Sequence, residues 1–206
     1  MAFEGVEGAG KSTQIRLVAD ALKEAGIKPV VTREPGGTRS GEAIRAVALD
    51  RDLQLEPVAE LLLMLAARSA FVREVVRPAL EAGRTVLTDR YELSSFAYQG
   101  GGRRLPLDVV IELNKLATGG LSPDLSVVLD VDVDQGRARQ ARGTADRIEG
   151  EEGAFHERVA AAYRELAHSR PDVALVDGRG EIERVFAAVW EALSSRFPET
   201  FPPRRC

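Results

Sequence analysis

The sequence predicts an α/β fold built on a parallel sheet, and three observations predict it. Short β-rich apolar runs alternate with longer helical patterns along the chain. Those runs do not alternate apolar with polar residues, which is the pattern of strands covered on both faces. A Gly-rich loop of the form G-x-x-x-x-G-K-[ST] lies between the first apolar residues and the first amphipathic stretch. The chain has 206 residues, 44% hydrophobic and 29% charged, which suits one domain with its own core and excludes wholesale disorder. No internal repeat or low-complexity linker divides it, so residues 1–206 read as a single domain.

The elements follow in order. Only residues 1–4 are available for a first strand, fewer than the usual five or six, so the strand is either short or truncated. Residues 12–25 put Ile15, Val18, Ala19 and Leu22 on one helical face, and Gly26 stops the helix. Strands are expected at 30–32, 85–88, 126–131 and 173–176. A long helix is expected over 57–82, with Leu61, Leu62, Leu65, Val72, Val75 and Val76 apolar and a kink at Pro78. Further helices are expected over 106–118, 134–142, 151–169 and 181–196. The tail, 197–206, holds three prolines and reads as irregular.

Charge narrows the partners. The net charge of −4 leaves no broad basic surface of the kind nucleic-acid binding needs. Lys11, Lys23, Lys28 and Lys115 are the lysines, so arginine supplies 24 of the 28 basic side chains. Coding bias accounts for most of them, but arginine also suits fixed bidentate contact with phosphate. Cys206 is the single cysteine, which excludes a disulfide framework and a cysteine-based metal site. No apolar run approaches the ~20 residues of a membrane span, and residues 1–5 do not read as a signal peptide. The expectation is a cytoplasmic protein with no membrane partner.

Chemistry concentrates in three segments. In Gly5-Val6-Glu7-Gly8-Ala9-Gly10-Lys11-Ser12, glycines let the backbone N–H groups turn inward around an anion, and the following helix adds its positive end. Lys11 is placed to reach the β- and γ-phosphates of a nucleoside triphosphate, and the Ser12 hydroxyl to bind Mg²⁺. The loop alone does not separate a kinase from a switch or a motor. A base-reading N-K-x-D segment is missing, since Asn114-Lys115 is followed by Leu116-Ala117, and the strand ending near Asp130 carries no adjacent acid pair. In Leu87-Thr88-Asp89-Arg90-Tyr91, the Asp at a strand end suits a Mg²⁺-bound water and the Arg suits a second phosphate. Arg137, Arg139, Arg142 and Arg147 lie within eleven residues around Gly143, as in an arginine-bearing flap that closes over a phosphoryl group.

These residues resemble the bacterial thymidylate kinases over nearly the whole length. The blocks that carry the resemblance are the phosphate loop with Phe3 and Glu4 before it and Thr13 after it, Thr32-Arg33-Glu34-Pro35-Gly36-Gly37-Thr38, and Ala66-Ala67-Arg68. They continue with Asp89-Arg90-Tyr91, Ser94-Ser95-Phe96-Ala97-Tyr98-Gln99-Gly100, Asp146-Arg147-Ile148-Glu149, and Phe155-His156-Glu157-Arg158-Val159 with Tyr163. The resemblance implies a nucleoside monophosphate kinase fold: a five-stranded parallel sheet flanked by helices, the Asp89 strand beside the first strand, and a mobile lid over about 136–149. It implies transfer of the ATP γ-phosphoryl group to dTMP, with Mg²⁺ as cofactor and a homodimer as assembly. Another nucleoside monophosphate or deoxynucleoside kinase is the alternative.

By the same resemblance, Gly8, Ala9, Gly10, Lys11, Ser12 and Thr13 hold the ATP phosphates, Gly178 lies near the adenine, and Ser12 and Asp89 organise the metal. Arg33, Arg45 and Arg90 hold the acceptor phosphate and its surroundings. Glu7 lies near the sugar, Tyr98 walls it, and Arg68, Ser94, Ser95 and Gln99 address the thymine. Glu34 reads equally as a site residue and as a turn residue before Pro35. Met64 stands where the family usually stacks a Phe on the base, and its thioether packs less rigidly. The phosphate loop has no Arg, which fits the subgroup whose lid supplies it. Arg142 is the first candidate for the catalytic arginine and Arg139 the second. His156 and His168 read as structural or exposed.

Overall fold

The computed structural model describes residues 1–140 and 145–202, with the side chain of Gln140 excepted. Five parallel strands form the sheet in the order β2-β3-β1-β4-β5. They are β1 (Ala2–Glu4), β2 (Val30–Arg33), β3 (Val86–Asp89), β4 (Ser126–Asp130) and β5 (Val173–Asp177). β1 is short but central: it pairs with β3 through Phe3 and Asp89 and with β4 through Phe3 and Val127. All three of its residues are buried, so a strand of three residues still anchors the sheet on both sides.

α1 (Lys11–Glu24) follows β1, and α2 (Arg39–Leu49) and α3 (Pro57–Phe71) follow β2. α2 is an element that was not among the expected helices. Only Gly41 and Ala48 of it are buried, although Ile44, Val47 and Ala48 repeat at helical spacing. Thr38 caps it, its hydroxyl accepting from the Gly41 N–H at 2.9 Å. The expected long helix is three segments: α3, a π-helical stretch Val72–Val76, and α4 (Arg77–Glu81). Pro78 lies in the first turn of α4, where its missing N–H is tolerated, and the looser π turn before it absorbs the disruption.

After β3, α5 (Glu92–Ser95) runs into a second π-helical stretch, Phe96–Gly102, then come α6 (Leu107–Thr118) and, after β4, α7 (Val133–Gln140). α8 (Gly153–Ser169), β5 and α9 (Ile182–Arg196) complete the chain. The second π stretch lies hard against α8: a Cβ on Gly102 would stand 2.5 Å from Phe155, so only glycine permits this approach. Ile15, Val18, Ala19 and Leu22 pack α1 on the core as expected. The tail is irregular yet anchored at its start. Phe201 is fully buried against Trp190, whose indole N–H donates to the Pro202 carbonyl at 2.9 Å.

The topology positions the site. The crossover from β1 leads toward β2 on one side of the sheet, and that from β4 leads toward β5 on the other. Such divergence opens a crevice at the carboxyl ends of the strands. The Gly-rich loop, Asp89, Asp130 and Asp177 all lie at those ends.

Candidate active site

The loop after β1 wraps toward its own lysine. Lys11 is buried, and its ammonium donates to the carbonyls of Gly5 at 3.1 Å and Val6 at 2.9 Å. Burial, together with the neighbouring Arg90 cation, lowers its pKa to about 8. Gly8 sits at φ +71°, and a Cβ there would strike the carbonyl oxygen of Gly136 in α7. Gly10 caps α1, so the first turn of that helix, with Ser12 and Thr13, faces the loop. Ala9 is buried under it. Arg139 reaches over from α7 to the carbonyl oxygens of Gly8 at 3.4 Å and Gly178 at 3.3 Å. Gly178 in turn donates its N–H to Asp130 at 2.8 Å, tying the β5 loop to the end of β4. Arg142 lies outside the described residues.

The strand end at Asp89 joins this loop to a second site. Ser12 Oγ donates to Asp89 Oδ2 at 2.7 Å, so a hydroxyl and a carboxylate stand side by side at the mouth of the loop. The next residue, Arg90, has φ +74°, an uncommon conformation that turns its side chain from the strand end back across the loop. Its guanidinium donates to Glu7 at 2.6 Å, Ser94 at 3.0 Å, the Gly5 carbonyl at 3.1 Å, Tyr163 at 3.2 Å and Tyr98 at 3.3 Å. Tyr98 also donates to Glu7 through a very short contact. Burial would raise the Glu7 pKa, but Arg90 and Lys11 outweigh it and hold the carboxyl below its ordinary range. Behind them Glu4, fully buried in β1, accepts from Ser94 at 2.6 Å and Tyr163 at 3.0 Å.

Beyond Arg90 a cleft opens between α2, α3, the second π stretch and the segment after residue 144. Glu7, Glu34, Arg45, Met64, Arg68, Arg90, Ser94, Ser95, Tyr98 and Gln99 all line it. Arg33 does not. It pairs with Glu42 at 3.3 Å on an exposed groove shared with Ser12 and Asp89. Arg45 reaches the Pro35 carbonyl at 2.9 Å.

Arg68 is buried and held on every side: Glu34 at 2.6 Å, the Tyr91 carbonyl at 2.8 Å, and Ser95 and Asn114 at 2.9 Å each. Burial raises the Glu34 pKa to about 7 despite that arginine, and its second oxygen, Oε1, is buried with no hydrogen-bond partner. Gln99 donates to Glu60 at 2.8 Å. His156 is buried against Phe155. His168 touches the Arg164 carbonyl.

Three features escaped sequence reasoning: the carboxylates Glu4 and Glu60, buried behind the cleft residues Ser94 and Gln99, and the cleft wall supplied by Leu49. The Glu60 signal was present, because Glu60, Met64 and Arg68 are spaced four apart and so share one stripe of α3. Glu4 lacked any such signal, since a lone acid at the end of a three-residue strand has no period.

The comparisons agree with one another. The family model described as thymidylate kinase matches residues 3–189. A thymidylate kinase of Deinococcus radiodurans is 47% identical over 196 residues, covering 94% of this chain and 95% of that protein. One of Caldanaerobacter subterraneus is 41% identical over 194 residues, covering 94% and 93%. A crystal structure of thymidylate kinase from Ehrlichia chaffeensis superposes with a TM-score of 0.78 at 28% identity, over 93% of this chain and 96% of that one. With the Gly-rich loop, the Asp89–Arg90 strand end and the adjoining cleft in one crevice, the chain belongs to the thymidylate kinase family.

Proposed function

We propose that the chain transfers the γ-phosphoryl group of ATP to dTMP, with the Gly-rich loop as donor site and the cleft beyond Arg90 as acceptor site. One observation carries the reading. Lys11 and Arg90, the cations of the two sites, both donate to the carbonyl oxygen of Gly5 at 3.1 Å. Phosphates gripped by the two side chains would therefore lie next to each other, and two adjacent buried cations call for polyanions.

An oxygen of the dTMP 5′-phosphate attacks the γ-phosphorus in line. The bond from that phosphorus to the β,γ-bridging oxygen breaks, and ADP leaves with the electron pair. The attacking oxygen is already anionic at neutral pH, so no general base is needed. Arg90 and Arg45 hold the acceptor phosphate, and Lys11 and a lid arginine, Arg142 or Arg139, stabilise the equatorial oxygens. Glu7, fixed by Arg90 and Tyr98, borders the sugar. Met64, Arg68, Ser94, Ser95 and Gln99 surround the base, with Glu34 behind Arg68. Arg33, on the neighbouring groove, acts on the phosphate side.

Ser12 and Asp89 would hold Mg²⁺. The donor set fits, because the ion favours one or two hard oxygen ligands with the rest from water and phosphate. No larger cluster of candidate ligands occurs among the described residues. Bound there, the ion would neutralise charge on the donor phosphates.

The reading includes a homodimer. Val58 and Leu62 on α3 are about half exposed, with Val109 and Leu116 of α6 also exposed. It includes a single catalytic domain in the cytoplasm, where ATP is at hand. Among the described residues no helix is long and apolar enough to cross a membrane.

The test is ADP release with dTMP, dUMP, UMP, dGMP and thymidine as acceptors. The highest kcat/KM is expected for dTMP. A strong preference for any other acceptor would favour a related nucleotide or deoxynucleoside kinase.

A further inference from the structure

One carboxylate organises the cleft wall that carries Gln99. Glu60, in the first turn of α3, is fully buried. It accepts from Gln99 Nε2 at 2.8 Å and from Arg103 Nη2 at 2.8 Å, and it pairs with Arg147 Nη1 at 2.9 Å. Burial would push its pKa up, but Arg103 and Gln99 outweigh burial and hold it below the ordinary range. Glu60 is therefore an anion, and an ionised carboxylate can only accept.

The consequence falls on Gln99. An amide has a donor end and an acceptor end. Turning it over would set its carbonyl oxygen against Glu60, acceptor against acceptor. With Nε2 committed to Glu60, the carbonyl oxygen is the end left to the cleft that Gln99 lines.

We propose that Glu60 is a specificity-positioning residue: by fixing the polarity of Gln99, it makes the cleft favour a pyrimidine that donates a hydrogen at N3 and disfavour one that accepts there. This rests on the reading of the cleft as the acceptor site. Thymine carries N3–H. A 5-methylcytosine of nearly the same shape carries a lone pair at N3 and an amino group at C4, so it inverts the pattern. Arg103 and Arg147 are the counter-ions that keep Glu60 charged while buried. Arg147 also donates to the Ala48 carbonyl at 2.8 Å, beside Leu49 in the same wall.

The experiment compares kcat/KM for dTMP and 5-methyl-dCMP in the wild type and in Glu60→Gln, with thermal unfolding alongside. A glutamine at position 60 can donate or accept, which releases Gln99 to turn over. The dTMP preference is expected to fall at least about tenfold, mainly through KM and with kcat moving little. Equal losses on both nucleotides, with the preference intact, would overturn the proposal and leave Glu60 a purely structural role. Gln99→Met removes both amide ends and is expected to lower the preference likewise. A Gln99→Met enzyme that keeps the wild-type preference overturns the proposal even where Glu60→Gln does not fold. A wild type that phosphorylates both nucleotides equally overturns this inference but not phosphoryl transfer, whereas one that phosphorylates neither overturns the reading of the site as well.

Discussion

Replacing Arg90 with lysine isolates what the guanidinium contributes. Both residues carry a Cβ, so the backbone cost at φ +74° is common to wild type and variant and cancels. Both are cations. What changes is the fork. Arg90 makes five contacts between 2.6 and 3.3 Å, with Glu7, Ser94, Gly5, Tyr163 and Tyr98. An ammonium is a point donor that reaches Glu7 and one other partner at most, and it has no second arm for a phosphate. Losing one charge-assisted bond to the acceptor phosphate costs about 1.5–3 kcal/mol. At about 1.4 kcal/mol per decade, that is roughly 10- to 100-fold. Loosening of Glu7 and Tyr98, which Arg90 holds directly, pushes the effect to the upper end. Arg90→Lys is therefore expected to lower kcat/KM for dTMP about 10²-fold while KM for ATP stays within about threefold. Coupled ADP-release kinetics with each substrate varied in turn reads both numbers. A kcat/KM for dTMP within about threefold of wild type would refute the reasoning that the fork is what counts.

Other outcomes follow from the same geometry. Lys11 in the free enzyme loses its proton as pH rises through about 8, so kcat/KM for ATP should fall above that pH while kcat stays flatter, because bound phosphates hold the ammonium charged; a flat kcat/KM profile to pH 9.5 would contradict it. Glu34 has a folded pKa of about 7 against an ordinary value of 4.5, so the native state holds its proton more tightly. Its share of stability, about 3 kcal/mol from that difference, is present below pH 4.5 and lost as pH rises to 7. Denaturant unfolding across that window should show the decline in wild type and a flatter profile in Glu34→Gln. Gly8→Ala sets a Cβ against the Gly136 carbonyl at a positive φ, and should raise KM for ATP at least about tenfold with little change in KM for dTMP. Arg142→Ala should cut kcat by about 10³-fold if Arg142 is the arginine finger; a near-normal kcat would move the role to Arg139, which already bridges Gly8 and Gly178.

Much of this architecture was legible in the sequence, and the parts that were not have physical reasons. β3 and β4, buried on both faces, wrote themselves as apolar runs, whereas the edge strand β5 leaves Leu175 exposed; all three lie within a residue of their expected ends. The Gly-rich loop is a local motif whose spacing is its geometry. α2 was not among the expected helices although Ile44, Val47 and Ala48 repeat at helical spacing, because Gly41 in its first turn reads as a breaker. The segmentation of the 57–82 helix was half legible: Pro78 announced a disturbance, but not that the π turn before it would take it up. Ten of the eleven expected acceptor residues meet in one cleft, because they came from motifs on the Gly-rich loop, the turn after β2, α2, α3 and the segment after β3, which the sheet order brings together. Arg33 falls outside it because β2 is an edge strand, and its last residue looks onto the groove beside Asp89. The buried carboxylates Glu4 and Glu60 were hard to see because a charge inside a core depends on partners 39 to 159 residues away.

The proposed function puts donor and acceptor nucleotides in adjoining sites that meet at Gly5. The most direct measurement is the Kd of adenosine and thymidine joined 5′ to 5′ through five phosphates, compared with the Kd of ATP and of dTMP alone. The joined molecule is expected to bind at least about 10²-fold more tightly than either nucleotide, because one linker spans two adjacent sites. Lys11→Met and Arg90→Met are each expected to remove most of that gain. A joined molecule that binds no better than ATP alone would contradict that arrangement.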